Sequence, residues 1–187
     1  MITAIDKNTA LVLIDLQKGI IQRVRPEVLK EVLEKSSHLI EAFRKANLPI
    51  VIVNVDPTDA AWMKSRKDAM SPAMTYPEDF THIMDEIKTK PSDIFITKKT
   101  WSAFFNTSLH EELQKRNITG IVLGGISTSA GVEGTARAAS ELGYNISFAT
   151  DAVADSNPEA HLNSLKNIFP RLGEQGTAAK IIEKLTT

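Results

Sequence analysis

The stretch 118–144, ITGIVLGGISTSAGVEGTARAASELGY, constrains the fold more than any other. An apolar run, Ile121-Val122-Leu123, ends in Gly124-Gly125, and a short polar turn follows, Ser127-Thr128-Ser129. Gly131 then opens a helical pattern rich in small residues, Ala136, Ala138 and Ala139, closed by Gly143. The pattern reads as a strand, a tight turn and a helix N-terminus in one segment. In an open α/β sheet, ligands bind at the carboxyl ends of the strands. A helix N-terminus there turns backbone N–H groups toward an anion. This turn is the expected floor of a site.

Similar runs precede and follow it. Thr9–Ile14 (TALVLI) is almost wholly apolar and ends at Asp15, as suits a strand buried on both faces. From Pro26, the residues Val28, Leu29, Val32, Leu33, Leu39, Ile40 and Phe43 recur at helical spacing. Proline suits a first helical position, and Asn47-Leu48-Pro49 ends the helix. Ile50–Val53 is the second predicted strand and Asp93–Thr97, before Lys98-Lys99, the third. Ile118–Leu123 is the fourth, and Asn145–Ala149, before Thr150-Asp151, the fifth. Thr107 is the expected N-cap of a helix that carries Glu111 in its first turn and runs to Arg116. Pro158 starts another, with Leu162, Leu165, Ile168 and Phe169 on its apolar face, which Pro170 stops. A turn at Gly173–Gly176, with room for a short edge strand, leads to a last helix over 177–185. This alternation predicts a single α/β domain over residues 1–187, a parallel sheet covered by helices on both faces.

Between Asp56 and Pro91 the pattern dissolves. Pro57, Pro72, Pro77 and Pro91 punctuate it, with Trp62, Met63, Met70, Met74, Tyr76 and Phe80 between them. Only His82–Ile87 suggests a short helix. A long irregular excursion in a compact domain is either a lid or binding loop, or a surface segment pinned by its aromatics. Asp56, Asp59 and His82 form no tight His/carboxylate cluster, so no metal site is expected. His38 and His110 lie on helices and read as surface histidines.

Composition narrows the function classes. A net charge of -1 gives no electrostatic reason to expect nucleic acid or an anionic membrane. No apolar run approaches the roughly 20 residues of a membrane helix. The start, MITAIDKNTA, lacks a basic segment followed by an apolar core, so no secretory signal is expected. The chain has no Cys, which excludes disulfides, thiolate metal sites and a cysteine nucleophile, and fits a cytoplasmic protein.

Three predicted strand ends carry polar residues: Asp15, Lys98 and the Gly124–Gly131 turn. Strand alternation sends Lys98 and Lys99 to opposite sides, so only one of them faces the side Asp15 faces. If adjacent parallel strands bring their carboxyl ends together, a carboxylate and an ammonium meet beside a helix N-terminus. Such a site suits an anionic or carbonyl-bearing small molecule. The aromatic turn Trp101-Ser102-Ala103-Phe104-Phe105 would wall the pocket. Position alone leaves Asp15 open between capping a turn and a chemical role. Known phosphate loops do not fit: Gly131 is followed by Val132-Glu133, and neither G-x-x-x-x-G-K-[ST] nor G-x-G-x-x-G is matched. A G-x-S-x-G elbow at Gly125–Ser129 is incomplete, and no His is placed by the sequence to serve Ser127 or Ser129.

Over nearly its whole length the chain resembles the isochorismatase-like (cysteine hydrolase) superfamily. The resemblance rests on TALVLIDLQKG (9–19), KKTWSAFFNTSL (98–109), GISTSAGVEGTARAASELGY (125–144) and ATDAVAD (149–155), matched in order and spacing. It implies a three-layer α/β/α fold with a six-stranded, mostly parallel sheet. It also implies a catalytic Asp at Asp15 and a catalytic Lys at Lys98, four residues before Ser102. Ile126–Ser127 matches a non-proline cis peptide of the family, and the amides of Ser127 and Gly131 match its oxyanion donors. Gln17, Trp101 and Phe104 are expected to contact substrate.

The nucleophilic Cys of the family's amidases falls on Gly131, and no other side chain there replaces a thiolate. The metal motif of the nicotinamidase type is also missing, because Asn54-Val55-Asp56-Pro57 supplies no His. The isochorismatases proper also carry Gly at this position and hydrolyse a vinyl ether without a covalent step. The resemblance therefore implies a cofactor-free hydrolase of a small carboxylate-bearing substrate. Asp15 would be the general acid, and Lys98 would hold the substrate carboxylate or orient Asp15. The alternative is a superfamily member that keeps the pocket but has lost turnover and binds a small molecule or a protein partner. A homo-oligomer, dimer or tetramer, is the expected assembly. An ammonium lowers a carboxyl pKa and burial raises it, and the sequence does not say which wins at Asp15.

Overall fold

Successive side chains of a strand point to opposite faces, and the apolar runs use this to fill two cores. Leu11 and Leu13 enter one core, while Ala10, Val12 and Ile14 enter the other. Ile50 and Ile52 part in the same way from Val51 and Val53. A computed structural model describes residues 1–68 and 75–185 of the chain. Met70, Pro72 and Met74 of the irregular excursion lie outside the described residues.

The elements are β1 (Thr9–Ile14), α1 (Lys18–Ile21), α2 (Pro26–Lys45), β2 (Ile50–Val55), β3 (Ile94–Lys98), α3 (Leu109–Gln114) and β4 (Gly120–Ile126). They continue with α4 (Glu133–Glu141), β5 (Asn145–Ala154), α5 (Pro158–Asn163), α6 (Phe169–Leu172), β6 (Glu174–Gly176) and α7 (Ala178–Leu185). The six strands form one sheet in the order β3-β2-β1-β4-β5-β6, every pair parallel. The order reverses between β1 and β4, which makes the crevice beyond their carboxyl ends the topological switch point.

On one face, α2 and α7 pack Val32, Leu39, Phe43, Ala178 and Ile181 against the sheet. On the other, α3, α4 and α6 contribute Leu109, Leu113, Ala136, Ala139 and Phe169, whose ring stacks on Phe148 at 3.8 Å. Small residues on the inner face of α4 let that helix lie close to the central strands. Two apolar cores on either side of a parallel sheet account for the near-continuous apolar strands.

Several elements differ from the sequence expectation. His82–Ile87 is not helical. Its backbone, with that of Phe80, pairs instead with the chain after β1: Lys18 N donates to His82 O at 2.9 Å, Gly19 N to Phe80 O at 3.0 Å and Met84 N to Leu16 O at 2.9 Å. Pro170 does not stop a helix. A wider turn over Ser164–Ile168 re-registers the chain, and Pro170 falls in the first turn of α6, where its missing N–H leaves no bond unmade. The strand β5 runs through Thr150-Asp151 to Ala154, with its pairing to β4 irregular between Leu123 and Gly125. Thr107 accepts a bond from Leu109 N at 3.2 Å, yet α3 begins only at Leu109 and ends at Gln114.

Gly125 lies opposite Ile14 in the β1–β4 pairing. Its φ is +116°, and a Cβ built on it would lie 2.0 Å from Ile14 O. Gly125→Ala is therefore expected to destabilise the fold by about 3 kcal/mol or more, from backbone strain plus a forced strand displacement. Urea unfolding measures this, and an unchanged midpoint would remove the close-approach argument.

Candidate active site

The end of β1 turns sharply at Asp15, whose φ is +50°. Its side chain is 4% exposed and meets Lys98, itself 2% exposed, at Oδ2–Nζ 2.7 Å. Lys98 lies on the inward face of β3 with Ile94 and Ile96, while Lys99 points to solvent and interacts with Thr58 O and Asp56. The two lysines therefore face opposite sides, as alternation requires, and Lys98 is the one that meets Asp15. The strand-neighbour argument did not hold, because β2 lies between β1 and β3. Two strand spacings are about 9–10 Å, and the long lysine side chain spans that gap. A second bond, from Lys98 Nζ to Thr100 O at 3.0 Å, holds the ammonium in place.

Burial pushes the Asp15 carboxyl up to about 6, and the Lys98 ammonium, which pulls the other way, does not overcome it. Asp15 Oδ1 is buried and has no hydrogen-bond partner among the described residues. A carboxyl with one oxygen fixed on an ammonium and the other unpartnered in a pocket wall is placed to carry a transferable proton.

Beside it runs the turn after β4. The Ile126–Ser127 peptide is cis, and Ser127 O accepts from Ala130 N at 3.2 Å and Val132 N at 3.1 Å. A single wide turn, Thr128–Val132, leads into α4. Gly131 faces Asp15: a Cβ there would sit 2.9 Å from Ile14 Cγ2 and 3.1 Å from Asp15 Oδ2. A side chain at this position would need Ile14 and the Asp15 carboxylate to give by a few tenths of an ångström.

Asp15, Lys98, Ser127 and Gly131 line a cavity of about 170 Å³. Trp62, Met63, Tyr76 and Phe80 from the irregular excursion close it, with Ile20, Arg23 and Trp101. Trp62 and Trp101 meet edge to face at 6.0 Å, and Trp62 Nε1 donates to Lys99 O. The described part of the excursion therefore forms a pocket wall. A larger groove of about 550 Å³ along α2 holds no such acid–ammonium pair.

Two expected substrate contacts fall elsewhere. Gln17 is fully buried: its Nε2 donates to Val55 O and Phe80 O, both at 2.9 Å, and its Oε1 accepts from Val55 N at 2.7 Å. It ties β2 to the pocket wall instead of lining the cavity. Phe104 stacks on Tyr144 at 5.7 Å on the helical side of the sheet. Among described residues, no group of His, Cys, Asp and Glu is gathered as metal ligands would be.

The sequence reading missed the support behind the turn and the arginine on its rim. Asp155 Oδ2 accepts from both Ser129 N and Ser129 Oγ at 2.8 Å, and its Oδ1 accepts from Asn157 N at 3.0 Å. His161 Nδ1 pairs with the buried Thr128 hydroxyl at 2.9 Å. Neither Thr128 nor Ser129 lines the cavity, so these contacts fix the turn and do not activate a nucleophile. Position 155 ends the ATDAVAD stretch, which was the signal available. Arg23 follows a helix of one turn, too short to show a periodic face.

A parallel α/β sheet with a cavity at its switch point, walled by a buried acid and its ammonium, defines the class of protein. The chain belongs to the isochorismatase family: the Isochorismatase domain model matches residues 9–180. It is 40% identical over 182 residues to the isochorismatase family protein YecD of Escherichia coli O157:H7, covering 96% of this chain and 97% of that one. It is 30% identical to Nicotinamidase 3 of Arabidopsis thaliana, over 87% of this chain and 81% of that one. The solved structure of an isochorismatase family protein from Burkholderia thailandensis superposes with a TM-score of 0.92 at 35% identity, over 98% of each chain. No helix among the described residues is long and apolar enough to cross a membrane.

Asp155→Ala removes three acceptor bonds at once and is expected to cost about 2–3 kcal/mol. For a domain of this size that lowers Tm by roughly 4–12 °C. Calorimetry reads the shift, and a Tm within 1 °C of the parent would deny the turn this support.

Proposed function

We propose that the protein is a cofactor-free hydrolase of a small carboxylate-bearing substrate, acting on a vinyl ether by acid catalysis at Asp15. The observation that carries this reading is the wall around Asp15. A carboxyl raised to about 6 by burial stands beside a glycine, which carries no nucleophile. An amide hydrolysis of the family's cysteine type needs a thiolate, and the chain has no Cys. Ser127 lines the cavity, but His161 is engaged with Thr128 and is not among the residues lining that cavity.

The steps balance without a covalent intermediate. Asp15 gives its proton to the terminal carbon of the enol ether, and positive charge develops as an oxocarbenium ion. Water adds to that ion and loses a proton, and the hemiketal collapses to a carbonyl product and an alcohol. Lys98 orients Asp15 and stabilises the carboxylate left after proton transfer. The amides of Ser127 and Gly131 offer N–H donors to the substrate's oxygens. A homo-oligomer fits the same reading, because Phe95, Trp101 and Phe105 are large, apolar and exposed. Light scattering reads the assembly size, and a monomer would remove that part.

Pyruvate release from isochorismate, followed through a coupled dehydrogenase, tests the reaction. Asp15→Asn is expected to lower kcat by at least about 100-fold. Equal rates in parent and variant would sink the acid role, and no turnover by the parent would favour the binding-protein alternative. The pH profile carries its own sign. The acid must be protonated in the free enzyme, so kcat/KM is expected to be flat at low pH and to fall as pH rises through about 6. Lys98→Met removes the term that lowers the Asp15 pKa, so the falling limb should move to higher pH. A limb that stays in place or moves down would contradict this assignment.

A further inference from the structure

The turn after β4 carries three consecutive hydroxyls, Ser127-Thr128-Ser129, and two of them are spent on the support behind the turn. The Thr128 hydroxyl pairs with His161 Nδ1 at 2.9 Å, and Ser129 Oγ donates to Asp155 Oδ2 at 2.8 Å. Neither residue lines the cavity, whereas Ser127 does, together with Asp15, Lys98 and Gly131. Among the described residues, neither the Ser127 hydroxyl nor the Ser127 N–H has a hydrogen-bond partner. Its carbonyl is used, by Ala130 N at 3.2 Å and Val132 N at 3.1 Å. Other donors of the wall are committed: Lys98 Nζ is shared between Asp15 and Thr100 O, and Trp62 Nε1 donates to Lys99 O.

Ser127 stands on a fixed base. Ile126 before it ends the fully buried strand β4, and the two residues after it are tied to His161 and Asp155. A hydroxyl on such a backbone loses little freedom when a ligand takes it. The turn also lies against the acid, since a Cβ on Gly131 would be 3.1 Å from Asp15 Oδ2.

A serine hydroxyl bonded to no base is a neutral hydrogen-bonding group and not an activated nucleophile. It both donates and accepts, and it rotates between the two. These properties match an oxygen that arrives as water and ends as a carbonyl: the hydroxyl accepts from the water and donates to the carbonyl oxygen. The reaction proposed above has such an oxygen, on the carbon next to the one that Asp15 protonates. The cavity of about 170 Å³ is small, so a ligand with its carboxylate and this oxygen on adjacent carbons suits it.

We propose that Ser127 is a specificity-determining residue of this pocket, its hydroxyl holding the oxygen on the carbon that becomes the carbonyl and so selecting 2-oxo acids over carboxylates of the same shape that lack that oxygen. The proposal rests on the reading of the cavity as a site for a small carboxylate. It adds a side-chain contact to a residue whose backbone N–H is already assigned to the substrate's oxygens.

Pyruvate and methacrylate are the probe pair. They share one charge and one planar branched skeleton, and the carbonyl oxygen of the first is a methylene in the second. Both tryptophans of the chain, Trp62 and Trp101, line the cavity, so intrinsic fluorescence reports its occupancy. Each probe is titrated against the parent chain, Ser127→Ala and Ser127→Thr. Ser127→Ala is expected to lower the pyruvate-to-methacrylate affinity ratio by about threefold to tenfold, the range of one neutral hydrogen bond, through weaker pyruvate binding. Ser127→Thr keeps the hydroxyl and should retain most of the ratio. A ratio unchanged in Ser127→Ala would overturn the proposal. An equal loss of both probes would also overturn it, by making Ser127 a packing residue of the turn, as would a parent chain that binds neither probe. The measurement needs no turnover. A shifted ratio without pyruvate release from isochorismate would sink the reaction and leave the Ser127 contact standing, and turnover with an unshifted ratio would sink the contact alone.

Discussion

The contact on which the site depends is the buried hydrogen-bonded pair between Asp15 and Lys98. Two such charges are costly to remove from water, and only good geometry with further hydrogen bonds offsets that cost. The sheet supplies the geometry. Three parallel strands end together, β1 carries the acid, β3 carries the ammonium, and β2 sets the gap that the lysine has to cross. Thr100 O takes one more proton of the ammonium, and Gln17 fixes the end of β2 to the pocket wall. Asp15 keeps one oxygen without a partner. A pair selected for stability alone would satisfy both oxygens. A pair whose carboxyl has to give up a proton has reason to leave one without a partner.

The glycine beside this pair gives the pocket its chemical character. In a site built for covalent catalysis, a nucleophile would stand at Gly131, next to an aspartate able to take its proton. Here a Cβ at Gly131 would crowd Ile14 and Asp15. The carboxyl is drawn into an apolar wall, and that burial raises its proton affinity above the opposing pull of Lys98.

Most of this framework was legible in the sequence because it is local. Apolar runs ending in polar residues gave the strands, and alternation separated Lys98 from Lys99. The turn after Leu123 was recognisable from its glycines and small residues. What escaped depends on partners remote in the chain. Gln17 reads as a pocket residue until Val55 and Phe80 offer it backbone groups. Phe104 reads as a pocket wall until Tyr144 gives it a ring to stack on. The segment His82–Ile87 has a helical pattern, yet the backbone after β1 competes for its hydrogen bonds and wins. Pro170 looked like a terminator because sequence patterns do not register a widened turn that moves it to a tolerated position.

The charges in the cavity also couple binding to proton transfer. With Asp15 ionised, Lys98 is neutralised locally and an incoming anion meets a carboxylate. With Asp15 protonated, the same anion meets the uncompensated ammonium of Lys98. An anionic ligand therefore binds the protonated form more tightly. Linkage requires the converse: the bound anion raises the proton affinity of Asp15 by the same factor. A carboxylate substrate thus brings its own correction to an acid that is only partly protonated near neutral pH. A neutral analogue of the same shape supplies no such shift. The anion in the cavity and the proton held in its wall then act as one selection, because the substrate that fits the charge is also the substrate that arms the acid.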